Sequence, residues 1–268
     1  MWIFFEKTPI YVLMPHISYI MAHTMVSRGT KIVLFLRDPI KRFISGYFQK
    51  ARKFEITNYF DQYYEKMNGE NSPKQYNKDI ESLFQRHTNK HNNTSVKDEM
   101  VKRYQYFHYS CLNEHSRGDC DQYNWLWSRG CYAPQILTWI RYISELMLDF
   151  KTSQRYKNSF KIIQSEVFWR DETSYEQTMH YLICYIQYHY GSDARENDYD
   201  LRMKRCRSNQ TKTYQIHRSR SKTKGFVADK KLIDQINGSY AVCNQWLKVV
   251  LADYKHIVDE DFFDWKLW

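Results

Sequence analysis

The segment after a short apolar run contains the residue types that bind an anion. The run covers 31–36, Lys-Ile-Val-Leu-Phe-Leu, and Arg37-Asp38-Pro39 follows it. The guanidinium of Arg37 can form paired hydrogen bonds with phosphate oxygens. Ser45, two turns into the next helix, offers a hydroxyl. A helix N-terminus adds free N–H groups and a favourable dipole. The segment therefore predicts an anion site, the alternative being a solvated arginine and an ordinary helical serine.

Two further places carry charge that could do chemistry. Glu6-Lys7 ends the apolar run 2–5, and a carboxylate at a strand's C-terminal end lies where α/β folds place active sites. Glu6 is a candidate general base with Lys7 screening charge, and the alternative is an exposed ion pair. The segment 201–228 has no acidic residue and nine basic ones, which favours a polyanionic partner over a solvated loop. The nine are Arg202, Lys204, Arg205, Arg207, Lys212, Arg218, Arg220, Lys222 and Lys224.

The sequence predicts alternating strands and helices as the elements that position these residues. Residues 31–36 and 160–163 are short apolar runs of the buried parallel-strand kind. Asp38 is suited to cap a helix whose apolar residues recur from Ile40 to Phe54. Further helices are predicted from Pro134, at 175–188, and over 230–238 and 244–252, with a short one near 80–84. The pattern predicts an α/β fold, a central parallel sheet flanked by helices.

Composition limits the class of protein. The chain has 268 residues, 43% hydrophobic and 17% aromatic, with 8 Gly and 5 Pro, which excludes wholesale disorder and collagen-like sequences. No run approaches the length of a membrane span, and the first residues do not form a signal peptide. The net charge of +10 is concentrated in 201–228, so it favours one phosphate- or sulfate-bearing site over general nucleic-acid binding.

The cysteines and histidines show no metal-ligand spacing, so no metal is expected. Cys111, Cys120 and Cys131 are close enough in sequence for one disulfide, with buried free thiols as the alternative. Cys206 has no obvious neighbour. N-glycosylation sequons occur at Asn92, Asn93, Asn209 and Asn237, and these matter only if the chain enters the secretory pathway.

Taken in order, several segments resemble the Golgi carbohydrate sulfotransferases, especially the heparan sulfate 3-O- and N-sulfotransferase branch. Their order and spacing agree over most of the chain except about 55–125, which we interpret as a polar insertion in a single domain of residues 1–268. The matching segments are Phe5-Glu6-Lys7-Thr8-Pro9-Ile10-Tyr11 (EKTPxY), Lys31–Pro39 with Arg42 and Ser45 (RDPxxRxxS), Arg129-Gly130-Cys131-Tyr132 with Leu137 and Trp139 (RGxYxxxLxxW), Phe160–Ile163 with Glu166, Lys224-Gly225 with Leu232, Ile233 and Asn244, and Phe263-Asp264-Trp265.

The resemblance implies a P-loop-like sulfotransferase fold that uses 3′-phosphoadenosine 5′-phosphosulfate and no metal. By match to the family, Arg37 and Ser45 hold the 3′-phosphate, and Lys222, Lys224 and Gly225 close the nucleotide pocket. Glu6 is then the base that deprotonates a hydroxyl or amine of the acceptor, and Lys7 faces that acceptor, a sulfated or acidic glycan. The family also implies the Golgi lumen, with any membrane tether outside this chain and no specific nucleic-acid partner.

The sequence departs from the family in two places that bear on activity. The family's KxGTT-like phosphosulfate loop has no counterpart here and would lie upstream of Met1, so we expect an N-terminally truncated copy of the fold. Phe226 stands where the family often has an arginine. Two hypotheses follow: a glycan sulfotransferase, or a non-catalytic binder of sulfated glycans or other polyanions on a degenerate sulfotransferase scaffold. A basic nucleic-acid-associated protein is a third interpretation.

Overall fold

The computed structural model describes residues 15–26, 30–54, 73–89, 96–105, 126–149, 159–168, 171–187 and 230–257. Helices predominate in this part of the chain, together with two strands. In chain order the elements are α1 (Pro15–Thr24), β1 (Ile32–Leu36), α2 (Pro39–Phe54), α3 (Pro73–Asn89), α4 (96–105), α5 (Tyr132–Asp149), β2 (Phe160–Gln164), α6 (Ser165–Phe168), α7 (Glu172–Gln187), α8 (Lys230–Asp253) and a 3-10 turn (Lys255–Ile257).

The strands β1 and β2 pair in parallel, with Ile32 opposite Phe160 and Leu36 opposite Gln164. All five residues of β2 are buried, as the continuous apolar run predicts. Both strand predictions are confirmed within a residue or two at their ends. The described residues are therefore mostly helical, with a small two-stranded parallel sheet, which is compatible with an α/β fold.

Helix α5 lies at the centre of the core. Every residue from Cys131 to Ile140 is buried, and the indole of Trp139 stacks on Phe160 of β2 with ring centroids 5.9 Å apart. The helix begins two residues before the predicted Pro134. Helix α7 likewise confirms the prediction at 175–188, with an earlier start.

Residues 68–98 are polar and rich in Asn and Lys, which predicts a surface excursion with a short helix near 80–84, but the helices described in this region pack into the core. In α3, Tyr76, Ile80 and Leu83 are buried, and the indole N–H of Trp246 in α8 donates to the Ile80 carbonyl at 3.2 Å. Helix α4 also buries apolar side chains, including Met100 and Tyr104. The amphipathic pattern was too diluted by Asn and Lys to predict more than the short helix near 80–84.

Helix α8 is continuous where the sequence predicted two pieces. It runs through the exposed Gly238, although a glycine inside a helix is less favourable than alanine by about 1 kcal/mol. Ile236, Tyr240 and Cys243 are all buried on one side of it. Their packing against α3 and α5 offsets the cost of one glycine, because tertiary burial outweighs local propensity.

The disulfide expected among Cys111, Cys120 and Cys131 is wrong for Cys131, while Cys111 and Cys120 lie outside the described residues. Cys131 instead bonds Cys243 of α8, across 112 residues of sequence. Proximity in sequence cannot reveal such a pair, because the two cysteines meet only when α8 packs on the start of α5. Cys184 of α7 is disulfide-bonded as well.

Candidate functional site

The candidate site lies at the carboxyl ends of the two parallel strands. Because Leu36 is opposite Gln164, the residues that follow each strand share one edge of the sheet. Arg37 and Asp38 follow β1, and Glu166 belongs to α6, which follows β2 directly. The main-chain N–H of Asp38 donates to Glu166 Oε1 at 2.9 Å. The two strand ends are therefore joined by a hydrogen bond to a carboxylate.

Asp38 caps helix α2, as the sequence predicted. Its Oδ1 accepts from the N–H of Ile40 at 2.8 Å and of Lys41 at 3.3 Å. The N–H of Arg42 donates to the Asp38 carbonyl at 2.9 Å. The prediction that the N-terminus of α2 offers free N–H groups is therefore wrong for these three residues. An anion beside the start of α2 would therefore be bound by side chains rather than by these three N–H groups.

Tyr132, the first residue of α5, holds the main chain of Arg37 in place. Its hydroxyl donates to the Arg37 carbonyl at 2.7 Å and accepts from Arg42 Nη1 at 3.3 Å. The Arg42 guanidinium lies 5.6 Å from the centre of the Tyr132 ring, within the range of a cation–π contact. Burial raises the pKa of Tyr132, so its hydroxyl stays a neutral donor at physiological pH.

Arg129 adds a second half-buried guanidinium near Arg42. Burial, together with the positive charge of Arg42, lowers the pKa of Arg129 to about 10. With a pKa of about 10, Arg129 remains charged at neutral pH, and the neighbouring Arg42 guanidinium repels it. An anion placed between them would relieve that repulsion. We call Arg37, Arg42, Arg129 and Tyr132 the arginine edge.

The side chains of Arg37 and Ser45 are both exposed. Ser45 follows Arg42 by three positions in α2, which places the two residues on the same side of the helix. Lys41 is one turn before Ser45, and its ammonium is 3.8 Å from Asp38 Oδ2. Positive side chains and one hydroxyl therefore lie along α2 beside the strand ends, while the nearby carboxylates of Asp38 and Glu166 bind main-chain N–H groups.

Contacts with helix α8 fix the position of the turn at 129–132. A Cβ on Gly130 would lie 2.7 Å from the Tyr240 ring, so only glycine allows this turn to approach α8 so closely. The Tyr240 hydroxyl donates to the Trp127 carbonyl at 3.0 Å, and the Cys131–Cys243 disulfide joins the next residue to α8. Gln135 Nε2 donates to the carbonyls of Ser128 and Cys131, at 3.0 Å each.

Of the residues predicted for the site, only Arg37 and Ser45 fall within the described part of the chain. Glu6, Lys7, Lys222, Lys224 and Gly225 lie outside it, as do the predicted first strand and the basic segment 201–228. The sequence reasoning gave no site role to Arg42, Arg129, Tyr132 or Glu166. All four lie in the segments quoted for the resemblance, so motif membership was the available signal.

The described ranges contain neither a cluster of metal ligands nor a membrane-spanning helix. No group of three or more His, Cys, Asp or Glu residues there is placed to hold a metal ion. No described helix has the length and apolar character needed to cross a membrane.

No protein-family model, no curated protein and no solved structure matches the chain. The resemblance to carbohydrate sulfotransferases therefore depends on the segments quoted above. Function has to be argued from the geometry of the site and from those segments.

Proposed function

We propose that the chain is a sulfotransferase that moves a sulfuryl group from 3′-phosphoadenosine 5′-phosphosulfate to a hydroxyl or amine of a glycan of the heparan sulfate type. The proposal includes the finer fold, a central parallel sheet flanked by helices. The observation that carries it is the arginine edge at the carboxyl ends of β1 and β2. Parallel α/β folds bind nucleotides at that end of the sheet.

The chemistry of the arginine edge suits a phosphate group. Guanidinium groups form paired, charge-assisted hydrogen bonds with phosphate oxygens. Arg37 has its main chain fixed by Tyr132, while its side chain is exposed to solvent. In the proposal Arg37 and Ser45 hold the 3′-phosphate, and Arg42 and Arg129 strengthen the positive potential beneath it.

The remaining roles belong to the proposal through the family resemblance. Glu6 takes the proton from the attacking oxygen or nitrogen of the acceptor, and Lys7 faces the acceptor's anionic groups. The new bond forms to sulfur as the bond from sulfur to the 5′-phosphate oxygen breaks, and adenosine 3′,5′-bisphosphate leaves. Lys222, Lys224 and Gly225 close the pocket, where cations neutralise the charge that builds on the leaving phosphate.

A lumenal compartment of the secretory pathway, the Golgi in this proposal, is supported by the cysteines. The Cys131–Cys243 disulfide is buried in the core, and Cys184 is also disulfide-bonded. Structural disulfides form and persist in oxidising compartments and are rare in the cytosol. A glycan acceptor would be met in the same compartment.

Nucleotide binding tests the proposal directly. Adenosine 3′,5′-bisphosphate should raise the melting temperature more than adenosine 5′-monophosphate, because only the former has a 3′-phosphate. Arg37→Ala should remove that difference, since losing a charge-assisted contact of about 1.5–3 kcal/mol weakens binding about 10- to 150-fold. Lys248→Ala, on the exposed side of α8, is the matched charge control and should keep the difference. Equal responses of the unaltered protein to the two nucleotides would contradict the phosphate site.

Catalysis needs a separate test. Glu6→Gln should lower the transfer rate about 10²- to 10⁴-fold, the usual contribution of a general base, and leave bisphosphate binding unchanged. Loss of binding in this variant would show that Glu6 is structural. If the unaltered chain binds the bisphosphate and sulfated glycans but transfers nothing, the non-catalytic binder is the better description.

A further inference from the structure

One sequon, Asn237-Gly238-Ser239, lies in the described part of the chain, and its asparagine is on the solvent face of α8. Asn237 is exposed, in line with Asp234 and Ala241, which are exposed one turn to either side. A Cβ built on Gly238 would meet nothing within 4 Å. The Asn237 side chain is therefore open to solvent on this face. The opposite face of the same helix carries Cys243, whose buried disulfide supports an oxidising compartment.

The hydroxyl of the sequon is engaged in the folded protein. Ser239 is buried, its Oγ donates to the Ile236 carbonyl at 2.7 Å, and the same oxygen accepts from the indole N–H of Trp127 at 3.0 Å. Side chains two residues apart in an α-helix are related by a rotation of about 200° about the helix axis, so they point to nearly opposite sides. An enzyme that must contact the amide of Asn237 and the hydroxyl of Ser239 together cannot do so while α8 is folded.

We propose that Asn237 is an N-glycosylation site that is modified only before α8 folds. The amide nitrogen of Asn237 attacks the first sugar carbon of a lipid pyrophosphate-linked oligosaccharide. A nitrogen–carbon bond forms, the carbon–oxygen bond to the pyrophosphate breaks, the amide loses a proton and the lipid pyrophosphate leaves. Folding then buries Ser239 and leaves the glycan on the solvent face, where it disturbs no core contact.

The site is tested by translating the full chain, behind a cleavable secretion signal, in the presence of microsomes. A variant carrying Asn92→Gln, Asn93→Gln and Asn209→Gln retains Asn237 as its one sequon. We expect it to gain one glycan that peptide N-glycosidase removes, with mass spectrometry assigning the site. Adding Asn237→Gln should abolish the gain. An unmodified triple variant would overturn the proposal, and this readout is independent of nucleotide binding and catalysis.

The order of events is tested with the same triple variant prepared without a glycan. The folded, disulfide-bonded chain and a reduced, alkylated chain are each incubated with the microsomal transferase and its lipid-linked donor. We expect the folded chain to be modified at least roughly tenfold less, because α8 must first unfold. Equal modification of both chains would overturn the requirement that glycosylation precedes folding, and so would failure of the alkylated chain to react.

Discussion

The turn at 129–132 has two sides that are built from different chemistry. Toward α8, Gly130 packs on the Tyr240 ring and Cys131 is bonded to Cys243. Toward β1 and α2, the Tyr132 hydroxyl binds the Arg37 carbonyl, and Arg129 lies near Arg42. The first side is buried, uncharged and covalently closed. The second is positively charged and reaches solvent through Arg37.

The difference between the two sides indicates a division of labour. Like-charged guanidinium groups repel each other, so the arginine edge does little to hold the turn by itself. The close glycine packing and the disulfide supply that stability from the other side. Changes on the α8 side should therefore have the larger effects on the free energy of unfolding, whereas changes on the arginine side should weaken anion binding and cost no more than about 1 kcal/mol of stability.

The largest expected effect is loss of the disulfide. Replacing both Cys131 and Cys243 with alanine should lower the free energy of unfolding by about 2–5 kcal/mol, because the bond closes a loop of more than a hundred residues. Urea denaturation followed by circular dichroism measures the change. A loss below about 1 kcal/mol would show that packing alone holds the turn on α8.

A glycine substitution on the same side comes next. Gly130→Ala should cost about 1–3 kcal/mol, because its Cβ would lie 2.7 Å from the Tyr240 ring, which cannot move freely in the core. Gly238→Ala is the matched control. A Cβ at position 238 would meet no atom within 4 Å. Because the position lies in the interior of helix α8, alanine there should stabilise the protein by about 0.5–1 kcal/mol. Effects of the same sign in both variants would contradict the close approach at Gly130.

The same turn shows how far the sequence could predict this structure. The strands, α2, α5 and α7 follow from apolar runs and from helical spacing, which are local signals. The cap at Asp38 is also local, and it was predicted correctly. Its consequence was not: the cap occupies the N–H groups of Ile40 and Lys41 that the anion was expected to use.

The contacts between distant segments could not be predicted. Tyr132 meets Arg37 across 95 residues, and Cys131 meets Cys243 across 112. Neither pair has a local signature, since each depends on how α5 packs against its neighbours. The continuity of α8 through Gly238 has the same origin, because buried residues on both sides of the glycine hold the helix together.

Each side of the turn has one tyrosine whose hydroxyl binds a main-chain carbonyl. Removing these two hydroxyls should have the smallest effects on stability and gives a matched comparison of the two sides. Tyr132→Phe removes the hydrogen bond to Arg37, and Tyr240→Phe removes the one to Trp127. Each should lower the free energy of unfolding by about 1 kcal/mol. The Trp127 carbonyl also accepts from the N–H of Gly130 at 2.9 Å, so it keeps one partner.

Binding should separate the two tyrosine variants where stability does not. Tyr132→Phe frees the main chain of Arg37 and releases Arg42, so affinity for adenosine 3′,5′-bisphosphate should fall by about three- to tenfold, equivalent to about 0.6–1.4 kcal/mol. Tyr240→Phe leaves the arginine edge intact and should bind the nucleotide as the unaltered protein does. Isothermal titration calorimetry well below the melting temperature measures both. Equal losses of affinity would mean that the two sides of the turn act as one unit, with the arginine edge responding only to global stability.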